Sequence, residues 1–75
     1  MPKTVLIAGA TGLVGYACLK HFAAQPNCNV IALSRRRPDY LYGAHWFPLD
    51  LADTAACAAL APQLAGVTHL VYAAL

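Results

Sequence analysis

Residues 5 to 15 read Val-Leu-Ile-Ala-Gly-Ala-Thr-Gly-Leu-Val-Gly, and no other stretch restricts the fold as strongly. The apolar run from Val5 to Ala8 is uninterrupted, as suits a strand buried on both faces at the centre of a parallel sheet. Gly9 allows a sharp turn where that strand ends. Gly12 lets a diphosphate approach the main chain without meeting a Cβ, and Gly15 lets the next helix lie close on the sheet. Thr11 is the expected N-cap, its hydroxyl accepting from the amide of Leu13 or Val14. The remaining free amides and the positive end of the helix then face incoming phosphates.

A glycine triplet also occurs in tight packing, so its surroundings matter. Here it follows a strand-like run, opens a helix-like one and is succeeded by a second apolar run at the distance of a βαβ unit. The helix is expected from Leu13 to about Ala24, with Val14, Ala17, Cys18, His21 and Phe22 on one packing face. Pro26-Asn27 breaks it, and Asn29 to Ser34 supplies the second strand around Val30-Ile31-Ala32-Leu33.

The second strand ends in Ser34-Arg35-Arg36, where a site for NAD would present an acid to the adenosine ribose hydroxyls. Arginine stands there instead. Its guanidinium can hold a ribose 2′-phosphate by charge-assisted bonds, which makes NADP the expected cofactor; a solvated basic turn is the alternative. Residues 37 to 44 are turn-rich and too short for a crossover helix, so a loop is expected.

His45 to Leu49 reads as a short third strand with Trp46 and Phe47 on opposite faces, and Asp50-Leu51 follows at its carboxyl end. Asp50 either accepts from an adenine amine, with the Leu51 amide donating to a ring nitrogen, or caps the next helix. Asp53 is the better cap, because the helix from Thr54 to about Leu60 follows it directly. Pro62 breaks that helix and Gln63 to Ala65 gives a final turn before Gly66. Val67 to Ala74 is the fourth strand, and the small Ala73 and Ala74 leave room for the adenosine.

Hydrophobic residues make up 60% of the chain and charged ones 11%, which excludes disorder. A formal charge of +2 is too small for a nucleic-acid surface. The amino-terminal apolar stretch imitates a secretory signal, but glycines, Thr11, Lys20 and His21 interrupt it, so neither a signal core nor a membrane span of about 20 residues is expected. Cys18, Cys28 and Cys57 lack Cys-x-x-Cys spacing and fit reduced thiols in the cytoplasm. His21, His45 and His69 have no metal-ligand spacing, and no metal is expected. Tyr16 and Lys20 match Tyr-x-x-x-Lys, but Tyr16 lies in the phosphate-binding helix and receives no catalytic role. A complete dinucleotide fold needs about twice this length, so the 75 residues are expected to be the N-terminal part of a larger domain, ending after its fourth strand.

Gly9-Ala10-Thr11-Gly12-Leu13-Val14-Gly15 resembles the cofactor loop of the extended short-chain dehydrogenase/reductase superfamily. Ser34 to Pro38, Leu49-Asp50-Leu51 and Val67 to Tyr72 look like successive motifs of its progesterone 5-beta-reductase and iridoid synthase group. The resemblance implies a Rossmann-type α/β three-layer parallel sheet of order 3-2-1-4, with one helix on each face. It also implies NADP bound at Gly9, Thr11, Gly12, Leu13, Val14, Gly15, Ser34, Arg35, Arg36, Asp50, Leu51, Ala73 and Ala74, with the catalytic tyrosine and lysine beyond residue 75. The implied activity is hydride transfer to an activated C=C or C=O bond of a small-molecule substrate. No membrane or nucleic-acid partner is expected, and the sequence leaves a monomer and a homodimer both open. Two other readings stand beside it: a nucleotide-sugar epimerase or dehydratase, whose fourth-strand endings are nearer to Ala73-Ala74-Leu75, and a non-catalytic NADP sensor.

Overall fold

The structure, a computed structural model, describes residues 3–73. Four strands, β1 (Lys3–Ala8), β2 (Cys28–Ser34), β3 (His45–Pro48) and β4 (His69–Tyr72), form one parallel sheet in the order β3-β2-β1-β4. This is the expected order. β1 and β2 are each flanked on both sides by other strands, and they are the apolar runs, with Val5, Ile7, Val30 and Ala32 all at 3% exposure or less.

Alternation along β1 divides the core. Val5 and Ile7 join Val30, Ala32 and Leu19 of helix α1 (Leu13–Ala23) on one face. Leu6 joins Leu33, Leu49 and Leu60 of helix α2 (Thr54–Leu60) on the other. Trp46 packs on the first cluster and Phe47 on the second, so the two rings take opposite faces as expected. A 3-10 turn, Ala61–Leu64, follows α2 and carries Pro62 in its first turn.

Two expectations about α1 are corrected. Gly12, not Thr11, is the N-cap, and no side chain caps the helix. The buried face is turned away from Val14, Ala17 and His21, which are exposed; it consists of Gly15 and Leu19, with Tyr16, Cys18, Phe22 and Ala23 partly buried beside them. Backbone contact sets this rotation. A Cβ on Gly15 would stand 1.9 Å from the Gly9 carbonyl oxygen, so only glycine allows the first helical turn to close on the end of β1. With Gly15 inward, its neighbour Val14 must point out.

At the far end of α1, Asn27 makes the turn into β2 at φ 56°, in the left-handed region that asparagine tolerates. The parallel strands β2 and β3 are joined by residues 35–44 without a helix, as expected. Pro38 is buried in this loop, and Tyr42 and Gly43 carry positive φ of 51° and 87°. β4 is shorter than expected, beginning at His69; Ala74 lies outside the described residues. Among the described residues no helix is long and apolar enough to cross a membrane.

Candidate functional site

The register brings Ala8, Leu33 and Tyr72 side by side and pairs Ser34 with Pro48, so the carboxyl ends of all four strands share one edge. Backbone bonds extend the ladder past the strands. Gly9 and Ala10 amides donate to the Leu33 carbonyl (2.9 and 3.1 Å), Leu49 to Ser34 (2.9 Å) and Ala73 to Ala8 (2.9 Å). The chain runs outward from β1 through β2 to β3 on one side and then crosses to β4 on the other side of β1. Open α/β sheets bind ligands at such a switch point.

The three glycines of the loop do three different things. Gly9 turns at φ 89°, a conformation that side chains resist. Gly15 is required by close approach, as described above. Gly12 has neither reason: its φ is −72°, and a Cβ there would meet nothing nearer than the Gly9 carbonyl at 3.6 Å, an ordinary contact. The fold itself would accept a side chain at Gly12. Just beyond it, the amides of Leu13, Val14 and Gly15 are the first of α1 and have no intrahelical acceptor, while the first turn carries no acid. A bare main chain leading into free amides suits a diphosphate group, so these residues fit the cofactor that the sequence implies.

A groove of about 740 Å³ opens along this edge. Of the expected site residues, Gly9, Thr11, Gly12, Leu13 and Val14 line it from the loop, Ser34 and Arg35 from the end of β2, Asp50 and Leu51 from the end of β3, and Ala73 from the end of β4. Leu13 is 91% exposed beside it and offers apolar surface to a bound group. Gly15 is buried beneath the loop, and its missing side chain serves that packing. Arg36 does not line this groove. It lines a second hollow of about 410 Å³ that shares Thr11, Gly12 and Leu13 with the first, together with Arg37 and Asp39. The two arginines expected to act together thus line two different hollows that share one loop.

Leu49, Ala52 and Tyr72 also line the main groove, although sequence reasoning missed them. Each neighbours a residue that was assigned, and that adjacency is the signal that could have found them. Ser34 is 5% exposed, and both kinds of capacity of its hydroxyl are used: it accepts from Trp46 Nε1 at 3.0 Å and donates to the Arg36 carbonyl at 2.5 Å. Its first role is to hold the arginine turn. Asp50 Oδ1 accepts from the Ala52 amide at 2.9 Å, forming a turn of its own, and this leaves the other carboxylate oxygen for a ligand. The helix cap is Asp53, whose Oδ1 accepts from the Ala56 amide at 3.1 Å.

Tyr16 sits beside the second hollow with its hydroxyl 3.3 Å from that of Tyr42. Its pKa is pushed up to about 12, chiefly by that hydrogen bond, with burial and the charges of Tyr42 and Asp39 adding to it and a backbone bond from Tyr40 opposing it. A phenol so held stays protonated at neutral pH. Tyr16 itself belongs to α1, the helix that opens from the glycine loop.

Comparison with known proteins agrees with this geometry. No curated protein matches the sequence significantly. Among solved structures, a short chain dehydrogenase family protein from Francisella tularensis subsp. tularensis SCHU S4 superposes with a TM-score of 0.86 at 14% identity, over 99% of this chain and 31% of that one. A short-chain dehydrogenase/reductase from Burkholderia vietnamiensis gives a TM-score of 0.72 at 24% identity, over 96% of this chain and 39% of that one. The chain therefore spans about a third of the length of these structures, and what they share with it is the fold. The sequence itself matches the NAD dependent epimerase/dehydratase family over residues 5–75, a description that makes the cofactor a nicotinamide dinucleotide. With the glycine loop, the arginine turn and the groove all inside that match, the chain belongs to the NAD dependent epimerase/dehydratase family.

Proposed function

We propose that these residues are the NADP-binding part of a cytoplasmic oxidoreductase that transfers hydride to an activated C=C or C=O bond of a small-molecule substrate. The observation that carries the cofactor choice is the end of β2, where Arg35 and Arg36 stand at the groove and its neighbouring hollow and no acid occupies the turn. A carboxylate there would repel a 2′-phosphate, and a guanidinium attracts one. The nicotinamide, when bound, supplies the hydride. The chain's own residues bind and orient: the Leu13 and Val14 amides at the diphosphate, Asp50 and Leu51 at the adenine, and Ala73 as a small wall beside the ribose. The cytoplasmic part of the reading is supported by three cysteines that are all free.

The resemblance of Ser34 to Pro38 and of Val67 to Tyr72 to the progesterone 5-beta-reductase group supports the enone type of substrate. The family description favours a second reading, an epimerase or dehydratase acting on a nucleotide sugar. The double variant Arg35→Ala, Arg36→Ala tests the shared core of both. Calorimetric titration should show strongly weakened NADP binding, little change for NAD, and a gap between cofactors that shrinks as salt rises. Parallel losses for both cofactors would refute the assignment of these arginines to the 2′-phosphate.

A further inference from the structure

Trp46 lines neither the groove nor the hollow, yet its indole reaches the arginine turn through one buried atom. We propose that Trp46 is a positioning residue for cofactor choice: through the Ser34 hydroxyl it fixes the Arg35-Arg36 backbone and so sets the preference for a dinucleotide carrying a 2′-phosphate. This rests on the reading that the arginine turn meets that phosphate.

An indole N–H can only donate, and a serine hydroxyl has one proton and two lone pairs. When Trp46 Nε1 occupies a lone pair of Ser34 Oγ, the serine proton is directed elsewhere, and it goes to the Arg36 carbonyl. A hydroxyl that accepts one bond donates the next more strongly. The Ser34 carbonyl is held as well, accepting from the Leu49 amide at 2.9 Å, so Ser34 is tied to β3 by main chain and side chain together. On the far side of the arginines, Pro38 is buried. Arg35 and Arg36 therefore leave from a backbone segment anchored at both ends.

A fixed origin reduces the ordering cost when a long, exposed guanidinium engages a phosphate. A ribose with a free 2′-hydroxyl makes no such demand on the arginines. Loosening the turn should therefore change the difference between the two ligands rather than affinity for both. A residue needed only for packing would lower both together.

The test uses adenosine 2′,5′-bisphosphate and 5′-AMP, which differ only in the 2′-phosphate, titrated calorimetrically into the full chain. Trp46→Phe keeps an aromatic ring on the core and removes the N–H. It should weaken the bisphosphate about two- to tenfold, the worth of one hydrogen bond, and leave 5′-AMP within about twofold. Ser34→Ala should act in the same direction and Ser34→Thr, which restores a hydroxyl, should recover most of the loss. This serine pair gives the same reading without disturbing the indole, should Trp46→Phe fail to fold. Equal losses for both ligands, or no loss in either Trp46→Phe or Ser34→Ala while wild type still prefers the bisphosphate, would overturn the positioning role and leave the arginine assignment standing. Equal wild-type affinities would overturn both.

Discussion

Gly12 and Gly15 are the same residue type three positions apart, and the fold requires a bare main chain only at Gly15. At Gly15 a Cβ would lie 1.9 Å from the Gly9 oxygen and 2.8 Å from its carbon, backbone atoms that cannot swing aside. Gly15→Ala should cost about 1 to 3 kcal/mol or more, as overpacking does, and a lowered melting temperature checks it. Gly12→Val should keep its helical circular dichroism, because its neighbourhood is open, and lose cofactor binding, because in the proposed reading the diphosphate approaches there. Unchanged affinity would make the loop purely structural. Tyr16 gives a separate test. Its pKa of about 12 lies above the ordinary 10.0, so the folded state holds this proton more tightly than the unfolded chain. The stability this adds is present below pH 10.0 and is lost as pH rises toward about 12. In an alkaline titration followed by phenolate absorbance, Tyr42→Phe should bring Tyr16 back toward its ordinary value, since the Tyr42 bond is the main cause.

Among the elements, the strands were the most legible, because β1 and β2 are buried on both faces and their apolar runs have few other interpretations. Asp53 was legible too, since a short polar acceptor just before Thr54–Leu60 has one obvious use. Asp53→Ala should cost about 1 kcal/mol in chemical denaturation, the worth of an N-cap, and leave the groove intact. The buried face of α1 was misjudged for a physical reason. Its rotation is set by the meeting of two backbone segments at Gly15 and Gly9, which leaves Val14 exposed, and side-chain hydrophobicity carries no record of that contact. Thr11 failed as a cap on the same ground, for the turn closes through the Gly12 amide on the Gly9 carbonyl at 3.2 Å. The second hollow was not legible at all. It depends on the path of residues 35–44, where Pro38 turns inward and Tyr42 takes a positive φ, and nothing local in the sequence dictates either.

Across the whole molecule, one sheet with an apolar cluster on each face aligns four strand ends into a single binding edge, and the chemistry-bearing residues gather there. In the proposed reading they are residues that bind. Among the described residues no lysine lines the groove or the hollow, so no tyrosine–lysine pair is assembled there. These 75 residues alone should therefore not oxidise NADPH with an enone, and loss of NADPH absorbance in that mixture would contradict the division between a binding part here and catalytic residues elsewhere. In the proposed reading the arginine turn chooses the cofactor at this edge. Each charge-assisted bond to a phosphate is worth about 1.5 to 3 kcal/mol, so one well-made contact predicts roughly tenfold preference or more and two about a hundredfold, before screening. Trp46 is the single tryptophan of the sequence and lies behind the arginine turn, so its fluorescence can follow both ligands. Titration of NADP and NAD into the unaltered protein at low salt should give dissociation constants at least about tenfold apart in favour of NADP; equal constants, or a preference for NAD, would contradict the account.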